Sequence, residues 1–77
     1  MKYIMDGKIY NTETSEIILI YKICNVLYKT KKGNYFNIQE LPDRTITNVV
    51  SEDTVKKILL KYNYDKYAEL FGPLEEA

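Results

Sequence analysis

Chemistry on this chain has to come from lysine, tyrosine and carboxylates, because histidine is absent and cysteine occurs once. The lack of histidine removes the commonest general base and the commonest metal ligand. One cysteine without histidine also excludes the usual zinc patterns. The densest group of reactive types is Lys29, Lys31 and Lys32, flanked by Tyr28 and Tyr35. Lysines beside aromatic rings can grip phosphates and stack on bases. The same lysines can equally decorate an exposed turn and keep a sheet edge soluble. A net charge of zero, a single arginine and the lack of a DNA- or RNA-binding signature weigh against nucleic acid.

Tyrosine is the second signal: eight Tyr stand beside two Phe and no Trp. Tyrosine suits a surface that is both apolar and wet, as at protein interfaces. Tyr3, Tyr10, Tyr21, Tyr35 and Tyr64 exceed what so small a core can hold, so some must lie at its rim or face a partner. The expected contact surface is Tyr35 with Lys29, Lys31 and Lys32, and Tyr21 nearby. The carboxylates Glu40, Asp43, Glu52 and Asp53 are interleaved with Arg44, Lys56 and Lys57, which spoils any imitation of a phosphate backbone. Cys24 reads as a small buried apolar residue with no histidine to activate it. No catalytic spacing is present, so neither enzymatic activity nor a cofactor or metal site is expected.

The elements that must position these residues begin with Leu27–Phe36, which reads as a β-hairpin closed by Lys31-Lys32-Gly33. A three-residue loop needs φ > 0 at its last position, which glycine supplies without steric cost. Thr30 then faces Asn34, Lys29 faces Tyr35, Tyr28 faces Phe36 and Val26 faces Ile38. The period of two puts Val26, Tyr28, Phe36 and Ile38 on one face, expected to lie under the helices. Leu27, Lys29, Tyr35 and Asn37 fall on the other face, expected outward. Asp6-Gly7 signals an earlier hairpin over residues 2–10, pairing Met5 with Lys8, Ile4 with Ile9 and Tyr3 with Tyr10. Either face of that hairpin can be the buried one.

Asn11 or Thr12 should cap a short turn at 11–15. Residues 16–24 form a β-branched apolar strand. Ile17, Leu19, Tyr21 and Ile23 alternate there with Ile18, Ile20, Lys22 and Cys24. Apolar residues on both faces suggest a central strand, or one whose back meets another chain. The break before the next strand falls at Cys24-Asn25. After a turn at Leu41-Pro42-Asp43, residues 45–47 suit a short strand. Ser51 caps a helix whose stripe is Val55, Ile58, Leu59 and Tyr62. Asp65 should cap a last helix that packs Tyr67, Leu70 and Phe71 inward before Gly72-Pro73 stops it. The fold class is therefore α+β: a small antiparallel sheet over about residues 2–39, covered by helices over about 51–72.

Seventy-seven residues form a single domain, and their apolar fraction of 45% is ordinary for a folded protein. No apolar run approaches the roughly 18 residues that a membrane span needs. Without an export signal or a disulfide, the chain is expected in the cytoplasm. Residues 1–39 carry six lysines against three carboxylates, net +3, and residues 40–77 carry five cations against eight carboxylates, net −3. Such polarity can steer a partner.

The segments Met1–Tyr10, Thr12–Thr14, Leu27–Phe36 and Leu70–Ala77, in that order and spacing, resemble small proteins carried by phages and integrative elements of low-GC Gram-positive bacteria. The likeness covers both ends and the central hairpin, about half the chain. No catalytic residues are established in that group, so none transfer. The resemblance implies an accessory gene of a mobile element. By analogy of setting, it implies an anti-CRISPR-like inhibitor that binds a host defence protein or ribonucleoprotein, such as a CRISPR effector, in the bacterial cytoplasm. The alternative reading is a small nucleic-acid-binding accessory or regulator using the same lysines. The two-faced strand at 17–24 is also compatible with a homodimer.

Overall fold

The computed structural model describes residues 1–77. Strands β1 (Lys2–Met5) and β2 (Lys8–Asn11) form a separate two-stranded sheet. Strands β3 (Glu16–Tyr21), β4 (Asn25–Lys29), β5 (Tyr35–Leu41) and β6 (Arg44–Val50) form a four-stranded antiparallel meander in chain order. Helices α1 (Glu52–Tyr62) and α2 (Tyr64–Phe71) close the chain. The α+β class is as expected, with the sheet running on through Val50. No helix is long and apolar enough to cross a membrane.

Both glycine-closed turns take the form that their residues dictate. Asp6 (φ 51°) and Gly7 (φ 72°) both adopt left-handed conformations, and β1 pairs with β2 through Met5–Lys8, Ile4–Ile9 and Tyr3–Tyr10. At the second tip Gly33 has φ 88° and donates its N–H to Thr30 O at 3.0 Å. Thr30 N–H donates to Asn34 O at 2.8 Å, and β4 and β5 zip together through Lys29–Tyr35, Tyr28–Phe36 and Val26–Ile38.

The faces of that ribbon are the reverse of the expectation. Leu27 and Tyr35 lie under the helices with Ile18, Val55 and Leu59. Phe36 and Ile38 lie on the opposite face, and they are buried because Tyr10 of the first hairpin covers them, with Tyr3 and Met5 beside it. The molecule is thus three layers: hairpin, sheet, helices. Strand β5 lies between the hairpin on one face and the helices on the other. In β5 this reads as four consecutive buried residues, Tyr35 to Ile38.

Strand β3 also departs from simple alternation. It is an edge strand, paired only with β4. Ile17 faces Tyr28 and Leu19 faces Leu27, so Ile18 is the extra residue of a bulge. The bulge lets Ile18 and Leu19 both reach the helix side, leaving Ile17 and Ile20 on the other. The turn after β3 is Lys22-Ile23-Cys24, earlier than expected, with Lys22 (φ 50°) and Cys24 (φ 60°) in left-handed conformations and Cys24 exposed rather than buried. Side-chain amides of Asn25 and Gln39 brace this turn through Ile23 O, at 3.2 and 3.3 Å.

Ser51 Oγ accepts from Thr54 N–H and caps α1. Asn63, not Asp65, caps α2: its Oδ1 accepts from Lys66 N–H at 3.1 Å, and Asp65 sits in the first turn. Val55 and Leu59 are the fully buried part of the α1 stripe, while Tyr62 lies at its exposed end. Tyr67, Leu70 and Phe71 of α2 pack on the same core.

Candidate functional site

The five residues expected to form a contact surface do not lie together in the open. Tyr35 is 6% exposed and belongs to the core beneath α1. Its outward placement is overturned by the inverted ribbon. Lys29 is half-buried, with its ammonium 5.8 Å from the Tyr35 ring centre. Tyr21 is half-buried, and its hydroxyl donates to Asn37 Oδ1 at 2.8 Å. Only Lys31 and Lys32 stand free at the tip.

Tyr21 and Tyr35 are held in their phenol forms. Burial raises the Tyr35 hydroxyl above the usual 10.0, and the Glu52 carboxylate adds to this. Burial raises Tyr21 as well, with Tyr62 contributing. Asn37 is buried, and its Nδ2 donates to Asn25 Oδ1 at 2.9 Å. Tyr21, Asn37 and Asn25 therefore form a satisfied polar chain between sheet and helix. The Tyr21 hydroxyl can thus lie inward because Asn37 receives it.

Beyond the Ile4–Ile9 pair on the outer face of the first hairpin, itself 78% and 67% exposed, two surfaces remain. The first is the uncovered half of the hairpin-side sheet face. Directly paired residues share a face, so the register places Ile17 beside Tyr28 and Phe36, and Ile20 beside Val26 and Ile38. The first hairpin covers Phe36 and Ile38 but stops short of β3. Ile17 is 52% exposed and Ile20 68%. Cys24, Val26, Tyr28, Ile38 and Glu40 line a recess of about 280 Å³ on this side. Strand β3 adds an unpaired sheet edge to the patch.

The second surface is a groove of about 530 Å³ between the tips of the two hairpins. Lys31 and Lys32 enter it from one tip and Lys8 from the other. Sequence reasoning missed Lys8, whose distance along the chain hides a proximity that only docking of the hairpin creates. The one available signal was the +3 charge of the first half. The structure brings no three His, Cys, Asp or Glu side chains together as a metal site. Comparison of the chain with protein-family models, curated proteins and solved structures gives no match.

Proposed function

We propose that this chain acts by occupancy: it binds a protein partner through the open half of its sheet and blocks that partner. The partner is taken to be a host defence complex, giving an anti-CRISPR-like inhibitor. The resemblance to mobile-element proteins supports that class of partner. The observation that carries the binding mode is the exposed row Ile17 and Ile20 beside the Val26–Tyr28 recess. Clustered apolar surface on a small protein marks an interaction site. The unpaired β3 edge can take a partner strand by main-chain hydrogen bonds, while the recess takes an apolar side chain and supplies specificity.

A pull-down from a host lysate with wild type and Ile20→Lys, read by mass spectrometry, tests this. One defence complex retained by wild type and lost by Ile20→Lys is expected. Its purified activity should then fall to a fixed endpoint on titration, as stoichiometric binding requires. Recovery of nucleic acid alone, or equal retention by both proteins, would overturn the reading. So would a dimer mass in light scattering that Ile20→Lys converts to monomer, because a second copy would then cover the face.

A further inference from the structure

We propose that the groove between the two hairpin tips binds the phosphates of a nucleic acid backbone, without reading the bases. This goes beyond the protein-binding face and uses different residues.

Lys8, Lys31 and Lys32 are exposed at the groove, and no carboxylate lines it. None of the three is ion-paired: the carboxylate bridges in the molecule use Lys56, Lys66 and the N-terminal amine. Glu13, the acid of the neighbouring turn, lies 3.7 Å from that amine. Three unpaired ammonium groups therefore border one groove, and Glu16, the carboxylate of the adjoining recess, is paired with Lys66, so an anion in the groove would meet positive charge from both tips.

Neutral donors add to the charge. Thr30 Oγ1 accepts from Asn34 N–H at 3.1 Å, which leaves its hydroxyl hydrogen free to donate outward. The Asn34 side-chain amide makes no hydrogen bond within the chain, and it lines the same groove. Lysine, hydroxyl and amide donors are the usual phosphate contacts in nucleic acid complexes.

The aromatic rings bear on what kind of nucleic acid contact this is. Stacking on bases needs a free ring. Tyr28 is stacked on Phe36 at 4.9 Å, Tyr35 is under α1, and Tyr10, which lines the groove floor, is 5% exposed. No ring in the groove is free to receive a base. The groove is also open and supplied by side chains from two tips. That form suits a polymer gaining several weak contacts rather than a small anion held in a closed nest of backbone N–H groups.

The test is fluorescence anisotropy with a labelled 20-base-pair duplex of arbitrary sequence, in parallel with calorimetry using tripolyphosphate. Three phosphate contacts predict a salt slope near −2.7, so binding should weaken about 40-fold between 50 and 200 mM salt. Scrambling the duplex sequence should leave affinity unchanged. Lys8→Gln, Lys31→Gln and Lys32→Gln should each reduce the slope by about one. Lys57→Gln and Lys61→Gln on α1 should leave it unaltered. The result for Lys8 is decisive, because it reaches the groove only through the docked hairpin. Equal losses from the α1 variants would mean diffuse charge, and tripolyphosphate binding without duplex binding would mean a small-anion site. Either outcome, or no binding at 50 mM salt, overturns the proposal. Because Ile20→Lys is not in this groove, the protein-face reading can fail while this one stands, and the reverse.

Discussion

The two faces of the four-stranded sheet are covered by unequal partners. Under α1 and α2, Leu27 and Tyr35 meet Val55 and Leu59, and Tyr21, Leu19 and Phe71 complete the rim. On the other side a two-stranded ribbon meets Phe36 and Ile38 and leaves the β3 side of the face bare. The difference is one of width. Strands lie about 4.8 Å apart, so two strands cannot roof four, whereas a helix pair about 10 Å wide per helix can. The same β-branched sequence in β3 therefore serves as core on one face and as exposed surface on the other.

The largest effects should separate the two layers. Phe36, with no exposed surface, lies between Tyr10 at 5.2 Å and Tyr28. Phe36→Ala should lose about 3–5 kcal/mol, and Leu59→Ala, across the sheet, about 2–5 kcal/mol. Denaturant midpoints measure both. Hydrogen exchange then sharpens the comparison. Phe36→Ala should free the β1–β2 amides well before those of β4 and β5, whereas Leu59→Ala should weaken the β4 and β5 amides along with α1. Uniform exchange in both variants would mean that hairpin and helices fold as one unit, and the unequal layers would lose their energetic meaning.

A smaller loss tests the polar seam on the helix side. Asn37→Ala removes the acceptor of the Tyr21 hydroxyl and the donor to Asn25. Leaving those groups unpaired should cost about 1–3 kcal/mol. An unchanged midpoint would show that water replaces Asn37, and that the seam is no part of the core.

How far the sequence discloses this arrangement depends on the kind of signal. Turns with glycine are legible to the residue, since Asp6-Gly7 and Gly33 need φ > 0 and local chemistry decides them. Register follows from the turns, and the α1 cap follows from Ser51, whereas the α2 cap falls on Asn63, two residues before the expected Asp65. The Lys22–Cys24 turn is not legible, because it takes left-handed conformations without glycine and is braced by Asn25 and Gln39 from the strands. Nor is the choice of face in β4–β5: Lys29 and Asn37 give the Leu27–Tyr35 face a polar look, yet the helices cover it, and Asn37 is satisfied there by Tyr21 and Asn25. The outward expectation for Tyr35 follows from those two polar neighbours. The groove lysines were half legible. Lys31 and Lys32 share a tip, but Lys8 joins them only in three dimensions.

Alkaline pH gives a finer probe of the inward tyrosines on both faces of the sheet. Burial holds the Tyr35, Tyr21 and Tyr28 hydroxyls above the usual 10.0 in the native state, while the unfolded chain titrates near 10. Above that pH the unfolded chain releases protons that the native state keeps. Stability is therefore complete below about pH 10 and lost as pH rises through the native values. Tyr35→Phe should flatten this decline and leave stability near neutral pH little changed, as read by denaturant melts from pH 8 to 11. A decline unchanged by the substitution would place the hydroxyl in water and reverse the layers.

The smallest stability effect is expected where the proposed function is strongest. Ile20 is two-thirds exposed, and its register neighbour Val26 is half-buried. Ile20→Thr keeps β-branching and strand preference, so folding stability should move by no more than about 0.5 kcal/mol. Solubility should rise, and partner retention should fall sharply, because the loss falls on area that only a bound complex buries. A residue whose replacement is silent in the melt and costly in the pull-down belongs to a recognition surface. The opposite pairing, a lowered midpoint with binding intact, would make Ile20 part of the fold and leave the open half of the sheet without a role.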